Sequence, residues 1–124
     1  MTWLAVAAGG ALGTMTRHGV NMLFSHFLER SSPYATGAIN LIGSLVIGLL
    51  AALVATGKAH MSPELRTFVF VGILGGFTTF SSYMLDTFTL GHGGDHALAF
   101  WNVAVQTAFG LVAVWGGYRI GLAI

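Results

Sequence analysis

Four long apolar segments, joined by short polar connections, account for nearly all of this 124-residue chain. Only 7% of its residues are charged and 55% are hydrophobic, whereas a soluble domain has about 25% charged residues. So few charges could not cover the exterior of a protein of this size in water. Because a membrane-spanning helix needs roughly 20 mostly apolar residues, the sequence predicts one all-α membrane domain, residues 1–124, with four transmembrane helices.

Turn-forming and polar residues set the predicted limits of these helices. Gly57 and Pro63 interrupt the chain after the second apolar segment, and Gly91–His96 is a glycine-rich turn before the fourth. The start of the chain lacks the basic region of a cleavable signal, so we expect the first span to be retained. The predicted spans are Trp3–Phe27, Tyr34–Ala55, Leu65–Leu90 and Ala97 to the C-terminus.

Small residues recur at four-residue spacing within the apolar segments, as in Gly9 with Gly13 and Gly72 with Gly76. In lipid, this spacing lets two helix backbones approach closely, so that van der Waals packing holds the helices together. The pattern predicts close packing within one subunit, and any single pair says little about a dimer.

The basic residues give almost no preference for one orientation in the membrane. With four spans, Lys58, Arg66 and Arg119 lie on one side, and Arg17 and Arg30 lie on the other. Cytoplasmic loops normally carry the excess of Lys and Arg, so a three-to-two division permits insertion both ways. Insertion both ways would allow an antiparallel, dual-topology dimer.

The stretch GGFTTFSSYM, residues 75–84, places glycines and hydroxyl groups in the middle of the third apolar segment. Adjacent glycines weaken a helix, and Thr and Ser side chains compete for its hydrogen bonds. We therefore expect a break near Gly75–Thr79. Freed carbonyls persist in a membrane only inside protein or beside a cavity, where water or an ion completes their bonds. A small hard cation such as Na⁺ would suit them; an ordinary helix kink is the alternative.

Phe80 and Tyr83 are three residues apart, so they share one face of the helix that follows the break. An aromatic ring is electropositive at its edge. Two ring edges that face a narrow path could therefore hold an anion weakly without a full positive charge. On spacing alone, however, packing of both rings against neighbouring helices is the favoured interpretation.

Three motifs together resemble the Fluc/CrcB family of small bacterial fluoride channels. GGFTTFSSY resembles its G-G-x-T-T-F-S-T-F signature, and TGAINLIGSLVIG resembles its second-helix pattern G-T-x-x-x-N-x-x-G-x-x-x-x-G. GGALGTMTRHGV resembles its first-helix pattern G-x-x-x-R, and the length and four-span layout also agree. The resemblance implies a channel that exports cytoplasmic fluoride passively across the bacterial plasma (inner) membrane. It also implies a dual-topology homodimer, while pairing with a paralogue stays open.

The resemblance further implies roles for particular residues. A structural Na⁺ that is not transported would sit at the dimer centre, held by the backbone carbonyls of Gly75 and Thr78. Arg17 would lie at a water-filled vestibule, although snorkelling to the lipid headgroups is the alternative. The implied fluoride pathway comprises Asn40, Phe80, Tyr83, Thr79, Ser81, Ser82, Thr36, Asn102 and Gln106.

Four of these pathway residues have a second interpretation or depart from the family pattern. Apart from the resemblance, Asn40 suits a hydrogen bond between helices. Tyr83 stands where the family has its second phenylalanine, so its added hydroxyl could donate to fluoride or block the path. Asn102 and Gln106 are aligned at i and i+4, on the helix where the family usually has Tyr, Ser or Thr.

Other functional classes find less support in the sequence. A small dual-topology multidrug transporter would need a carboxylate in its first span, and here Asp86 is the only acidic residue within a predicted span. His92, Asp95 and His96 form at most a partial metal site in a turn that we expect to be solvated. Cysteine is absent, no enzyme motif is present, and a net charge of +1 gives no indication of nucleic-acid binding.

Overall fold

The computed structural model describes residues 1–29 and 31–124, and over these residues the chain is a helical bundle without strands. Arg30, which enters the charge comparison above, lies outside the described residues. The elements are α1 (Thr2–Phe27), α2 (Ser32–Ala55), α3 (Pro63–Arg66), a π-helical segment (Thr67–Leu74), α4 (Gly75–Phe77), α5 (Phe80–His92) and α6 (His96–Ala123).

Three stretches are long and apolar enough to cross a membrane, which supports a multi-pass membrane protein. They are Ser32–Ala55, Pro63–His92 and His96–Ala123, with mean hydropathies of 2.4, 1.6 and 1.7. Helix α1 has 26 residues, enough to span a bilayer at 1.5 Å per residue. Its polar residues, such as Arg17, His18 and Asn21, make it less apolar than the others, so the first predicted span, and with it a total of four, stays a prediction.

The third apolar segment is broken, as the sequence predicts, but the two glycines are not the break. Gly75 has helical angles (φ −66°, ψ −33°). The extended residues are Thr78 (φ −76°, ψ 158°) and Thr79 (φ −151°, ψ 115°), which separate α4 from α5. Threonine hydroxyls hold this conformation, because Thr78 Oγ1 donates to the Leu74 carbonyl at 2.9 Å and Thr79 Oγ1 caps the start of α5.

The glycines instead bring α1 directly against the third segment. A Cβ atom added at Gly9 would collide with the backbone of Phe68, and one at Gly13 would collide with the backbone of Ile73. A Cβ at Gly76 would lie 2.8 Å from the carbonyl oxygen of α1 residue Gly10. The four-residue spacing therefore serves packing within the subunit, as predicted.

Helices α2 and α6 pack against each other in the same manner. A Cβ at Gly117 would collide with the backbone of Leu45, and one at Gly48 would collide with that of Val114. Buried Ala52, four residues after Gly48, lies on the same face, and a Cβ at Gly121 would lie 2.7 Å from its Cβ. The close approach brings polar residues in the middle of α2 and α6 together beside the break in the third segment.

Candidate functional site

The side-chain amide of Asn40 on α2 forms hydrogen bonds with the backbone at the break in the third segment. The backbone N–H of Thr79 donates to Asn40 Oδ1 at 2.9 Å, and Asn40 Nδ2 donates to the Thr79 carbonyl at 3.2 Å. The amide thus contacts both backbone groups of buried Thr79, whose N–H has no partner in a helix. The structure places Asn40 in the interhelical position that its residue type suits, and direct donation to fluoride stays a prediction.

A chain of amide hydrogen bonds continues from Asn40 along α6. Asn40 Nδ2 donates to Gln106 Oε1, Gln106 Nε2 donates to Asn102 Oδ1, and Asn102 Nδ2 donates to Thr87 Oγ1, each at 2.9 Å. A primary amide has two N–H groups, so Gln106 and Asn102 each keep one. Both N–H groups of Asn40 are already used. The remaining donors on this face therefore belong to α6.

The predicted hydroxyl residues cluster at the start of α5. Thr79 Oγ1 donates to Ser82 Oγ at 3.1 Å and lies 3.4 Å from Ser81 Oγ. On the α1 side, Thr36, Thr79 and Ser82 line a cavity of about 310 Å³ together with His18. Hydroxyl groups from two helices and the break thus face one polar space.

A second cavity lies on the other side of the break, and Thr79 lines both. It has a volume of about 340 Å³, and Asn40, Thr78, Phe80 and Tyr83 are among its lining residues. The break therefore separates two spaces that are each large enough for several water molecules. A small hydrated ion could approach the break from either one.

Phe80 and Tyr83 share a face as predicted, but their surroundings differ. The Tyr83 side chain is only 8% exposed, whereas Phe80 is 73% exposed. Their rings form a T-shaped pair, with centroids 5.9 Å apart and planes at 67°. Tyr83 packs within the subunit, as spacing alone would favour, and Phe80 presents its ring outward.

Tyr83 lines the cavity of about 340 Å³, but its hydroxyl group forms hydrogen bonds with residues of α6. It donates to the Val103 carbonyl at 3.3 Å and lies 3.2 Å from Thr107 Oγ1. We expect Tyr83→Phe to leave fluoride efflux unchanged or slightly faster, with a loss of unfolding free energy of about 0.5–1.5 kcal/mol. Efflux from liposomes and thermal unfolding check this, and abolished efflux would show that transport needs the hydroxyl.

Two backbone amides near the break donate to side chains and not to the carbonyls that an unbroken helix would give them. The Thr79 N–H, which would serve the Gly75 carbonyl, donates to Asn40. The Ser82 N–H, which would serve the Thr78 carbonyl, donates to Thr79 Oγ1 at 3.3 Å. The two freed carbonyls are those that the family resemblance implies for Na⁺.

One of these freed carbonyls already attracts a positive charge. Arg17 Nη1 of α1 donates to the Thr78 carbonyl at 3.3 Å. Arg17 therefore points at the break and not along the helix toward the headgroups. Since carbonyl oxygens are hard ligands and a guanidinium ion binds here, the chemistry of Gly75 and Thr78 fits a cation.

Some residues of this site were not singled out in the sequence. Thr14 Oγ1 lies 3.5 Å from the Gly76 carbonyl, and Thr87 and Thr107 extend the hydrogen bonds between α5 and α6. Thr87 lies four residues after Tyr83, on the same helix face, which was an available signal. In the part of the chain that the structure describes, no three His, Cys, Asp or Glu side chains are placed to hold a metal.

Comparison with known proteins covers nearly the whole chain. The family profile for CrcB-like protein, Camphor Resistance (CrcB), matches residues 4–118. A fluoride-specific ion channel FluC from Paracoccus denitrificans is 46% identical over 121 residues, covering 97% of this chain and 94% of the relative. FluC from Rhodospirillum rubrum is 42% identical over 119 residues (95% and 92% covered), and FluC 1 from Symbiobacterium thermophilum is 37% identical over 126 residues (98% of each).

Proposed function

This chain belongs to the CrcB family, and from that premise we propose that it exports cytoplasmic fluoride passively past the break in its third helix. It is a fluoride-specific ion channel and not an enzyme. The observation that supports the proposed route is the break at Thr78 and Thr79, where Thr79 is buried. Polar groups flank it at mid-membrane, and two cavities meet at Thr79.

Fluoride is small and holds its water strongly, so a pore must replace that water with hydrogen-bond donors. Hydroxyl groups of Thr36, Thr79 and Ser82 line the cavity on one side of the break and offer such donors, and Ser81 lies beside Thr79. The two N–H groups of Asn40 hold protein oxygens, whereas Asn102 and Gln106 each keep one N–H group. Asn102 and Gln106 line a third cavity, of about 420 Å³, and not the two that meet at Thr79, so they would extend the row of donors away from the break. None of these donors carries a full charge, so the ion can leave.

Passive export needs only the membrane potential. An interior-negative potential favours the exit of an anion by about 2.3 kcal/mol per 100 mV. The bacterial plasma (inner) membrane, which carries such a potential, is the location we propose. In that lipid bilayer α1 would form the first of four spans, since its glycines pack it along the third segment.

A second copy in the opposite orientation would complete the pathway. Two features of the single chain support this: the Phe80 ring is exposed, and Gly75 is exposed beside the break. Facing copies would bring the Gly75 and Thr78 carbonyls of both subunits together, and a bound Na⁺ would supply a positive charge between them. Because only backbone would hold the ion, it would be structural. A paralogue could replace the second copy.

The small multidrug transporter is not favoured. Helix α1 carries no carboxylate, and Asp86 lies at the middle of α5, where it accepts a hydrogen bond from Ser32, the first residue of α2, at 2.6 Å. A proton-coupled cation site would need a carboxylate at the middle of the first span. No observed feature places one there.

Ion efflux from liposomes tests the proposed function. Liposomes loaded with potassium fluoride or potassium chloride are diluted into ion-free buffer with a potassium ionophore, which prevents charge accumulation. We expect the protein to release fluoride rapidly while chloride stays inside, as in protein-free liposomes. Equal release of both halides would reject a selective pore, and release of neither would reject a channel.

A further inference from the structure

We propose that Arg17 is an internal substitute for Na⁺ at the Thr78 carbonyl, and that Na⁺ binding displaces its guanidinium. This inference rests on the proposed Na⁺ site. The Thr78 carbonyl has no helical donor, because the Ser82 N–H donates to Thr79 Oγ1. Arg17 Nη1 donates to that carbonyl at 3.3 Å, so in the single chain a side-chain cation occupies the position that Na⁺ would need.

The two cations cannot share this carbonyl without a penalty. No charged side chain is among the residues that line the cavity beside Gly75 and Thr78, so nothing there offsets two positive charges. Even with the dielectric constant of water, two unit charges 4 Å apart weaken binding about fivefold. Inside a protein the effect is larger. Na⁺ binding should therefore move the guanidinium away from the break.

The displaced guanidinium has a polar space beside it. Asn21, which lies one turn after Arg17 on the same face of α1, lines the cavity of about 310 Å³ that Thr36 and Ser82 also line. There, the positive charge of Arg17 would attract anions. Because coupling between two binding sites is reciprocal, fluoride in this cavity should tighten Na⁺ binding by holding Arg17 off the Thr78 carbonyl.

Thermal unfolding of the purified full-length protein in sodium-free buffer, titrated with Na⁺, tests the exchange. We expect Arg17→Gln to lower the half-saturating Na⁺ concentration at least about fivefold, because it removes the competing charge. Arg119→Gln is the matched control, since Arg119 is exposed and lies over Trp115, far along α6 from the break. Its half-saturating Na⁺ concentration should equal that of the wild type.

The wild-type protein provides a second measurement that does not depend on the folding of a variant. We expect potassium fluoride, but not the same concentration of potassium chloride, to lower its half-saturating Na⁺ concentration. An unchanged or weaker Na⁺ response in Arg17→Gln, or equal responses in the two halides, overturns this inference alone. Absence of any Na⁺ response overturns the Na⁺ site and this inference together, while the efflux measurement decides the channel function separately.

Discussion

Replacing Asn40 with leucine is expected to reduce fluoride efflux at least about tenfold and to destabilise the fold. The variant leaves the N–H of buried Thr79 without a partner. The Thr79 carbonyl loses the Asn40 donor but keeps the first hydrogen bond of α5, because Thr79 is the N-cap of that helix. An unpaired buried group costs about 1–3 kcal/mol, so the free energy of unfolding should fall by about that amount. Since about 1.4 kcal/mol is a factor of ten, the population of the intact break should fall by a factor of about ten. Efflux and thermal unfolding measure the two effects.

Two further substitutions, one on α2 and one at the residue that follows it, separate the contributions of the hydrogen bonds made by Asn40. Asn40→Asp keeps an acceptor for the Thr79 N–H but loses both donors, so it should hold the break partly while disconnecting Gln106. Thr56→Val is the control, because the Thr56 hydroxyl bonds only to carbonyls within α2, including that of Ala52 at 2.8 Å; its efflux should match the wild type. Normal efflux in Asn40→Leu would show that the break persists without this side chain.

Replacing Phe80 with isoleucine is expected to slow fluoride efflux about twofold to tenfold without preventing assembly. Isoleucine keeps the apolar bulk but has no electropositive ring edge. Edge interactions of an aromatic ring are worth about 0.5–1.5 kcal/mol, which corresponds to that range of rates. Because Phe80 is 73% exposed in the single chain, its replacement should cost the subunit little stability. Efflux and size-exclusion chromatography measure rate and assembly.

The same helix offers a matched control for this change. Phe88 is 67% exposed and stacks on His92, with ring centroids 5.6 Å apart. Phe88→Ile makes the same chemical change two turns further along α5, and it should leave efflux unaltered. If Phe80→Ile also transports at the wild-type rate, the Phe80 ring has a packing role and not a role in the pathway.

The sequence by itself determined where the helices lie. The second span, predicted as Tyr34–Ala55, is observed as Ser32–Ala55, and the fourth begins at His96 and not Ala97. These limits follow from the lengths of apolar runs and from local turn residues. The sequence also predicted the break, but it assigned the break to the glycines, whereas Thr78 and Thr79 form it. A helical glycine costs only about 1 kcal/mol relative to alanine, which close packing against α1 can offset.

Only the tertiary structure decided how the break is held and what its carbonyls bind. Asn40 meets Thr79 across 39 residues and Gln106 across 66, and Arg17 meets Thr78 across 61. Such contacts depend on how closely α2 approaches α6 and α1 approaches the third segment, which local periodicity does not encode. The π-helical segment Thr67–Leu74 likewise had no local signal. In a membrane, each diverted backbone group must find a new partner inside the protein, and only the packed bundle determines which side chain is near enough.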